Sequence, residues 1–247
     1  MSKRKTSENL KLATFFFFLV GGIVFLSLIF RGIFLLKESK FDGSSHFTLQ
    51  VSNQFISFSP RNSTVGILSV RNISTREIPV DAKIVSSVEI SSDNLKPALF
   101  GLMFDLKNQK EINFVDILRL YLYTQTVKQN SILQKELTDK TDKREVETIL
   151  SIFFADPKIQ EEKLNIEVIN ATDVSGLGNR IANLVSSMGG NVILVSSGDI
   201  KKESTVQYTQ DSYTTHKISQ VLKVRKEKLP KKMVADVTIV IGEDHVR

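Results

Sequence analysis

The feature that most constrains this chain is a run of nineteen residues, 12–30, without a single charged side chain. As a helix rising about 1.5 Å per residue it covers about 28 Å, close to the ~30 Å of hydrocarbon that a bilayer span must cross. A cleaved secretory signal has a shorter apolar region of about 7–15 residues and ends in a small-x-small site. Neither holds here, so a retained anchor is expected. Lys3, Arg4, Lys5 and Lys11 precede the run, and basic flanks stay on the cytoplasmic side. Arg31 and Lys37 follow it and reduce this contrast without reversing it. The expected layout is a cytoplasmic tail over 1–11, a single transmembrane helix over 12–36, and all remaining residues outside the cytoplasm at the cell membrane.

The formal net charge is +6, but residues 1–36 hold five Lys/Arg against one Glu, which leaves 28 against 26, or +2, for the rest. The basic balance therefore belongs to the anchor, and no nucleic-acid partner is expected. There is no Cys, which excludes a disulfide-stapled module and thiolate chemistry and suits a bacterial envelope protein. His46, His216 and His245 lie far apart with no ligand spacing around them, so neither a metal nor a cofactor is expected.

Past the span, residues 38–45 are polar and contain Gly43, which reads as a spacer lifting a domain off the membrane. Phe47, Leu49 and Val51 alternate with polar residues, as do Ile56 and Phe58, and a turn over 59–62 leads to a further run over 65–70. Two or three antiparallel strands are expected there. From Ile112 the spacing of Phe114, Val115, Ile117, Leu118, Tyr121 and Leu122 is helical. A second helix has Asp142 as cap, Glu145 three residues on, an apolar face of Val146, Ile149, Leu150 and Phe153, and a stop at Asp156-Pro157. The polar stretch 129–143 reads as a mobile loop.

From residue 161 the pattern is clearest: a strand over 164–169, a helix with Leu177, Ile181, Leu184, Val185 and Met188 on one face, and Gly189-Gly190 ending it. Strands over 191–196 and 204–208, a helix over 212–224 and a last strand over 236–241 complete a β-α-β-β-α-β order. The expected fold class is α+β: a small α/β segment, then a four-stranded sheet with two helices on one face. The run Val237-Thr238-Ile239-Val240-Ile241 is apolar enough to be an inner strand.

The stretch Leu164-Asn-Ile-Glu-Val-Ile-Asn170-Ala-Thr-Asp-Val-Ser-Gly176-Leu-Gly-Asn-Arg-Ile-Ala-Asn-Leu-Val resembles the opening of the LytR C-terminal domain, with Ala171 where Gly is usual. Asp236-Val-Thr-Ile-Val-Ile-Gly242 resembles its closing strand. The resemblance sets a LytR C-terminal-like domain at 161–247. Upstream, over 37–160, Phe58-Ser-Pro60-Arg-Asn-Ser-Thr-Val-Gly-Ile-Leu-Ser-Val70 resembles a strand-turn-strand of the LytR-CpsA-Psr domain, which moves glycopolymers from a lipid carrier to the cell wall. The charged motifs of that domain are not matched: Arg71-Asn72-Ile73 and Ser52-Asn53-Gln54-Phe55 stand in their places. Those motifs hold a pyrophosphate and its metal, and phosphoryl transfer depends on such charges. The resemblance therefore implies a degenerate segment, carries over no catalytic residue, and points to a non-catalytic protein that binds wall glycan or an envelope protein.

Two groups of residues remain as candidate sites. Asn170, Thr172, Asp173, Ser175 and Gly176 surround a strand-to-helix turn where an anion or sugar could meet free amides, the bland alternative being capping by Asp173 or Ser175. Gly176-x-Gly178 with Asp199 is only superficially a dinucleotide fingerprint, since Ile181 takes the third glycine position. Lys223, Arg225, Lys226, Lys228, Lys231 and Lys232 form a basic run suited to anionic polymer or headgroups, or else a solvated linker. A competing expectation is a divergent active transferase using Asp81, Asp105 or Arg119.

Overall fold

The structure, a computed structural model, describes residues 2–72, 75, 77–105, 111–230 and 234–246, with the backbone alone for 2–13. The chain starts as one continuous helix, α1 (Ser2–Glu38). Its segment Thr14–Glu38 is long and apolar enough to cross a membrane, and none of its most apolar stretch is buried against the rest of the chain. Such a surface is compatible with a membrane anchor.

The alternation in residues 47–70 produces three antiparallel strands, β1 (Phe47–Val51), β2 (Gln54–Ser59) and β3 (Thr64–Val70), with Leu49 opposite Ile56 and Ile56 opposite Ile67. β4 (Ala82–Ile84) adds in parallel to β1. The helices α2 (Leu95–Leu102) and α3 (Phe114–Thr126) follow. β5 (Ile132–Leu137) then adds in parallel to β3, giving the order β4-β1-β2-β3-β5. Because side chains alternate across a strand, Leu49, Ile56, Phe58 and Ile67 pack in one cluster with Leu99 of α2 and Leu120 of α3. Phe55, Leu68 and Val70 pack in another with Ile149, Leu150 and Phe153 of α4 (Lys143–Phe154). Gly66 lies under α4: a Cβ there would come within 2.6 Å of the Phe153 ring.

Two expectations about this region are corrected. The stretch 129–143 is not a loop throughout, because it contains β5. That strand is an edge, and its four middle residues are exposed, so its polar sequence carries no strand pattern. The segment 38–45 is not a spacer either. α1 runs to Glu38, Phe41 is 1% exposed with its ring 5.4 Å from that of Phe47, and Asp42 closes a turn on the amides of Ser44 and Ser45. Burial works against the charge of Asp42, but the amides and hydroxyls of Ser44 and Ser45 outweigh it and hold the carboxyl at about 2. Asp156-Pro157 ends α4 as expected and also starts α5 (Pro157–Glu162), with Asp156 accepting from the Lys158 amide at 2.9 Å.

The second sheet follows: β6 (Asn165–Asn170), α6 (Leu177–Ser187), β7 (Asn191–Ser197), β8 (Thr205–Tyr208), α7 (Tyr213–Leu222), β9 (Arg225–Lys228) and β10 (Val237–Ile241). The spatial order is β7-β6-β10-β8-β9, so β10 is the inner strand expected of it, parallel to β6 and antiparallel to β8. Ile166, Val168, Val206, Val237, Ile239 and Ile241 form one core with the apolar faces of α6 and α7. The α+β class and the β-α-β-β-α-β succession hold, with β9 as a fifth strand added at the edge beside β8. Its residues, Arg-Lys-Glu-Lys, belong to the basic run that read as a linker, and an edge strand without apolar side chains leaves no periodic trace.

Candidate functional site

The turn between β6 and α6 is built by Asn170. Its Oδ1 accepts from the Thr172 amide and hydroxyl, its Nδ2 donates to the Val174 carbonyl, and the Thr172 hydroxyl oxygen accepts from the Val174 amide. This is an Asx-type turn in which two of the candidate side chains are spent on the backbone. Asp173 and Ser175 point outward, and neither caps α6. The N-cap is Gly176 at φ 78°, a left-handed conformation that favours glycine.

The basic run is dispersed. Arg225 pairs with Glu203, and Lys223 pairs with Glu111 at 2.7 Å. Lys226 meets Asp211 at 3.1 Å and, with His216, holds that carboxyl at about 2. Lys228 is exposed on β9, and Lys231 and Lys232 lie outside the described residues.

The most heavily built place in the molecule is one that the sequence does not announce, the junction of the two sheets. Lys217 of α7 is buried, and its Nζ donates to both carboxylate oxygens of Asp81 at 2.7 and 2.8 Å and to the His46 carbonyl at 2.7 Å. All three ammonium protons are thereby used. Asp81, also buried, accepts in addition from the Thr48 amide at 2.8 Å and from Gln220 at 3.3 Å. Burial, reinforced by the Lys217 cation, lowers the pKa of His46. The neutral ring sets Nε2 3.3 Å from the Phe153 carbonyl. Beside this pair, Asp156 accepts from the Tyr213 hydroxyl at 2.6 Å, and Glu162 accepts from the Tyr213 and Thr214 amides at the start of α7. Burial and the Asp156 charge push the Tyr213 hydroxyl well above its usual range.

Asp81 and Arg119, two residues of the transferase alternative, are thus engaged in structural bonds. Arg119 donates to the Ser39 hydroxyl and to the Phe41 carbonyl at 2.9 and 2.8 Å. Asp105 follows the end of α2. Among the described residues no three His, Asp or Glu side chains converge as a metal site would require.

Two hollows are present among the described residues. A cleft of about 600 Å³ opens between the sheets, floored by Ile78, Val80, Leu177, Ile181 and Leu184 and edged by Lys83, Arg180 and Lys223. Asp244 is at its rim. Burial would raise its pKa, but the Ser204 hydroxyl and amide outweigh this and keep it low. A smaller groove of about 340 Å³ brings together Ser52, Asn53, Gln54 and Arg71. These are positions where the resemblance would place the charges of a transferase; Ile73 lies outside the described residues. Here Gln54 is bonded to both backbone groups of Ile90, and Arg71 is paired with Glu136.

Residues 163–245 match the family described as LytR cell envelope-related transcriptional attenuator, LytR_C. The match covers about a third of the chain and runs from just before β6 to the turn after β10, which shows the C-terminal resemblance read from residues 164–185 and 236–242. No curated protein and no solved structure matches the chain.

Proposed function

We propose that this chain is a single-pass cell-envelope protein, with its N-terminus inside and its two sheets outside the cytoplasm, that binds anionic wall glycan without catalysing its transfer. The observation that carries the non-catalytic reading is the small groove. Four of the residues standing where the transferase motifs would stand, Ser52, Asn53, Gln54 and Arg71, line it, and they offer amides, a hydroxyl and an arginine already paired. Phosphoryl transfer needs uncommitted positive charge to position and stabilise the migrating group. Among the described residues lining this groove the one cation, Arg71, is paired with Glu136, and the remaining charge, Glu89, is an anion that would repel a pyrophosphate.

Binding is assigned to the cleft. Lys83 and Arg180 have no acidic partner among the described residues, and an apolar floor under cationic edges is the usual build of a site for an anionic ligand. Glycan carrying phosphate or carboxylate groups meets both requirements. Full-length protein in nanodiscs should co-sediment with isolated cell wall, and the Lys83→Glu/Arg180→Glu variant should lose that binding at least tenfold. Wall binding untouched by the double substitution would remove the cleft from the proposal. Capture of a purified envelope protein with no glycan affinity would replace the ligand. Transfer of polymer from a polyprenyl-pyrophosphate donor to peptidoglycan would overturn the non-catalytic reading.

A further inference from the structure

α2 and α3 leave a group of apolar side chains uncovered. Phe114, Leu118, Tyr121 and Leu122 fall at i, i+4, i+7 and i+8 of α3 and so share one face. Phe114 is 39% exposed and Leu122 53%, while Phe100 and Phe104 are 49% and 66% exposed. The Phe100 ring joins them, with its centroid 5.7 Å from that of Tyr121 and 5.3 Å from that of Phe104. Single exposed apolar residues need no explanation, but a contiguous aromatic patch marks a surface that something covers.

The start of α3 indicates what that is. Asn113, its N-cap, donates from Nδ2 to the carbonyl of Leu35, inside the segment Thr14–Glu38, at 2.9 Å. One turn on, Asp116 accepts from the Ser39 hydroxyl and the Phe41 amide at 2.7 and 2.8 Å, and Arg119 holds Ser39 and Phe41 from the next position round the helix. Three side chains of α3 therefore grip the chain as it leaves the span. Phe114 is the neighbour of the residue bonded to Leu35, so a bilayer around α1 arrives at the first turn of α3.

We infer that Phe100, Phe104 and Phe114 seat in the headgroup region of the membrane, so that the first sheet lies down on the bilayer through α2 and α3. Aromatic rings favour that zone, and an amphipathic surface there sinks roughly 5–10 Å toward the acyl chains. Lys37, in the last turn of α1, is placed to meet lipid phosphates. The inference rests on the reading of α1 as an anchor, and the experiment separates the two.

The chain has no Cys, so single cysteines can carry an environment-sensitive fluorophore on the full-length protein. The vesicles are phosphatidylcholine and phosphatidylglycerol with spin-labelled lipid as quencher. Phe25→Cys reports the span and Phe104→Cys the patch. Ile152→Cys, 61% exposed on α4, reports the opposite side of the first sheet. The expected result is loss of most emission at 25 and 104 with little loss at 152. Quenching at 25 alone overturns the inference and leaves the anchor standing. No quenching at 25 overturns both. A blue shift at 104 that escapes lipid quenching and grows with protein density means that a second copy covers the patch, which also overturns it. Leu122→Cys serves as a second reporter at the outer end of the same face, where weaker quenching than at 104 is expected.

Discussion

The two five-stranded sheets differ in how deeply they are buried. In the first, every residue of β2 is buried, and separate apolar clusters cover the two faces of the β1–β3 meander. In the second, the edge strand β7 has no fully buried residue, and Ile193, Leu194 and Val195 stand 38–47% exposed. One sheet has as its middle a scaffold in which each side chain has a fixed neighbour, and its open edge β5 exposes mainly polar residues. The other keeps an open margin, and it is the one that matches an envelope family. Under the proposed function the division sets the ligand-bearing surfaces on a firmly packed layer, and the Lys217–Asp81 pair ties the two layers together.

The sharpest way to break this picture is Lys217→Met. It leaves the Asp81 carboxylate buried without its cation, and removing one partner of such a pair costs about 3–5 kcal/mol. Chemical denaturation of the full chain in micelles should then show the second sheet melting earlier, in its own transition; an unchanged single transition would mean that the clamp does not join the layers. Next comes Gly66→Ala, where a Cβ would meet both Phe153 and Ser57. Overpacking of this kind costs about 1–3 kcal/mol, read as a lower denaturation midpoint at constant slope.

The junction should also respond to acid. The folded state prefers neutral His46, whereas the unfolded chain takes up the proton near the ordinary 6.5. Stability is therefore complete above about pH 6.5 and lost as pH falls below it, with a slope that can approach about 1.4 kcal/mol per pH unit for one proton. His46→Gln should flatten that slope between pH 7 and 5 in the same denaturation series. The smallest effect is expected at Leu194→Ser, within about 0.5 kcal/mol because the side chain is already half in water. A loss as large as that at Gly66 would show that β7 is covered and erase the contrast between the sheets.

What could be read from the sequence follows from how local each signal is. The meander, α4 and the β6–α6–β7 unit carry their periodicity within a few residues, and the turn and cap residues mark their ends. α3 is visible by its spacing, and Asn113 with Asp116, three residues apart, forms the capping box that sets its start. β4 is only three residues long, and β5 and β9 are edges with exposed middles, so neither length nor alternation reveals them. The candidate site was read less well. Of the cationic edge of the cleft only Lys223 stood out, because Lys83 on β4 and Arg180 on α6 are brought to one cleft only when the two sheets dock. Lys217 looks like an ordinary solvated charge and Asp81 stood only as a transferase candidate, and nothing local says that residues 136 positions apart share a buried pocket.

That separation has a further consequence during synthesis. Asp81 leaves the ribosome 136 residues ahead of Lys217, an interval of roughly 7–27 s at about 5–20 residues per second. Throughout it, the early layer holds an acid whose cation does not yet exist. Joining of the two layers through this pair therefore waits for α7, and a chain cut before that helix leaves the Asp81 carboxylate without its cation.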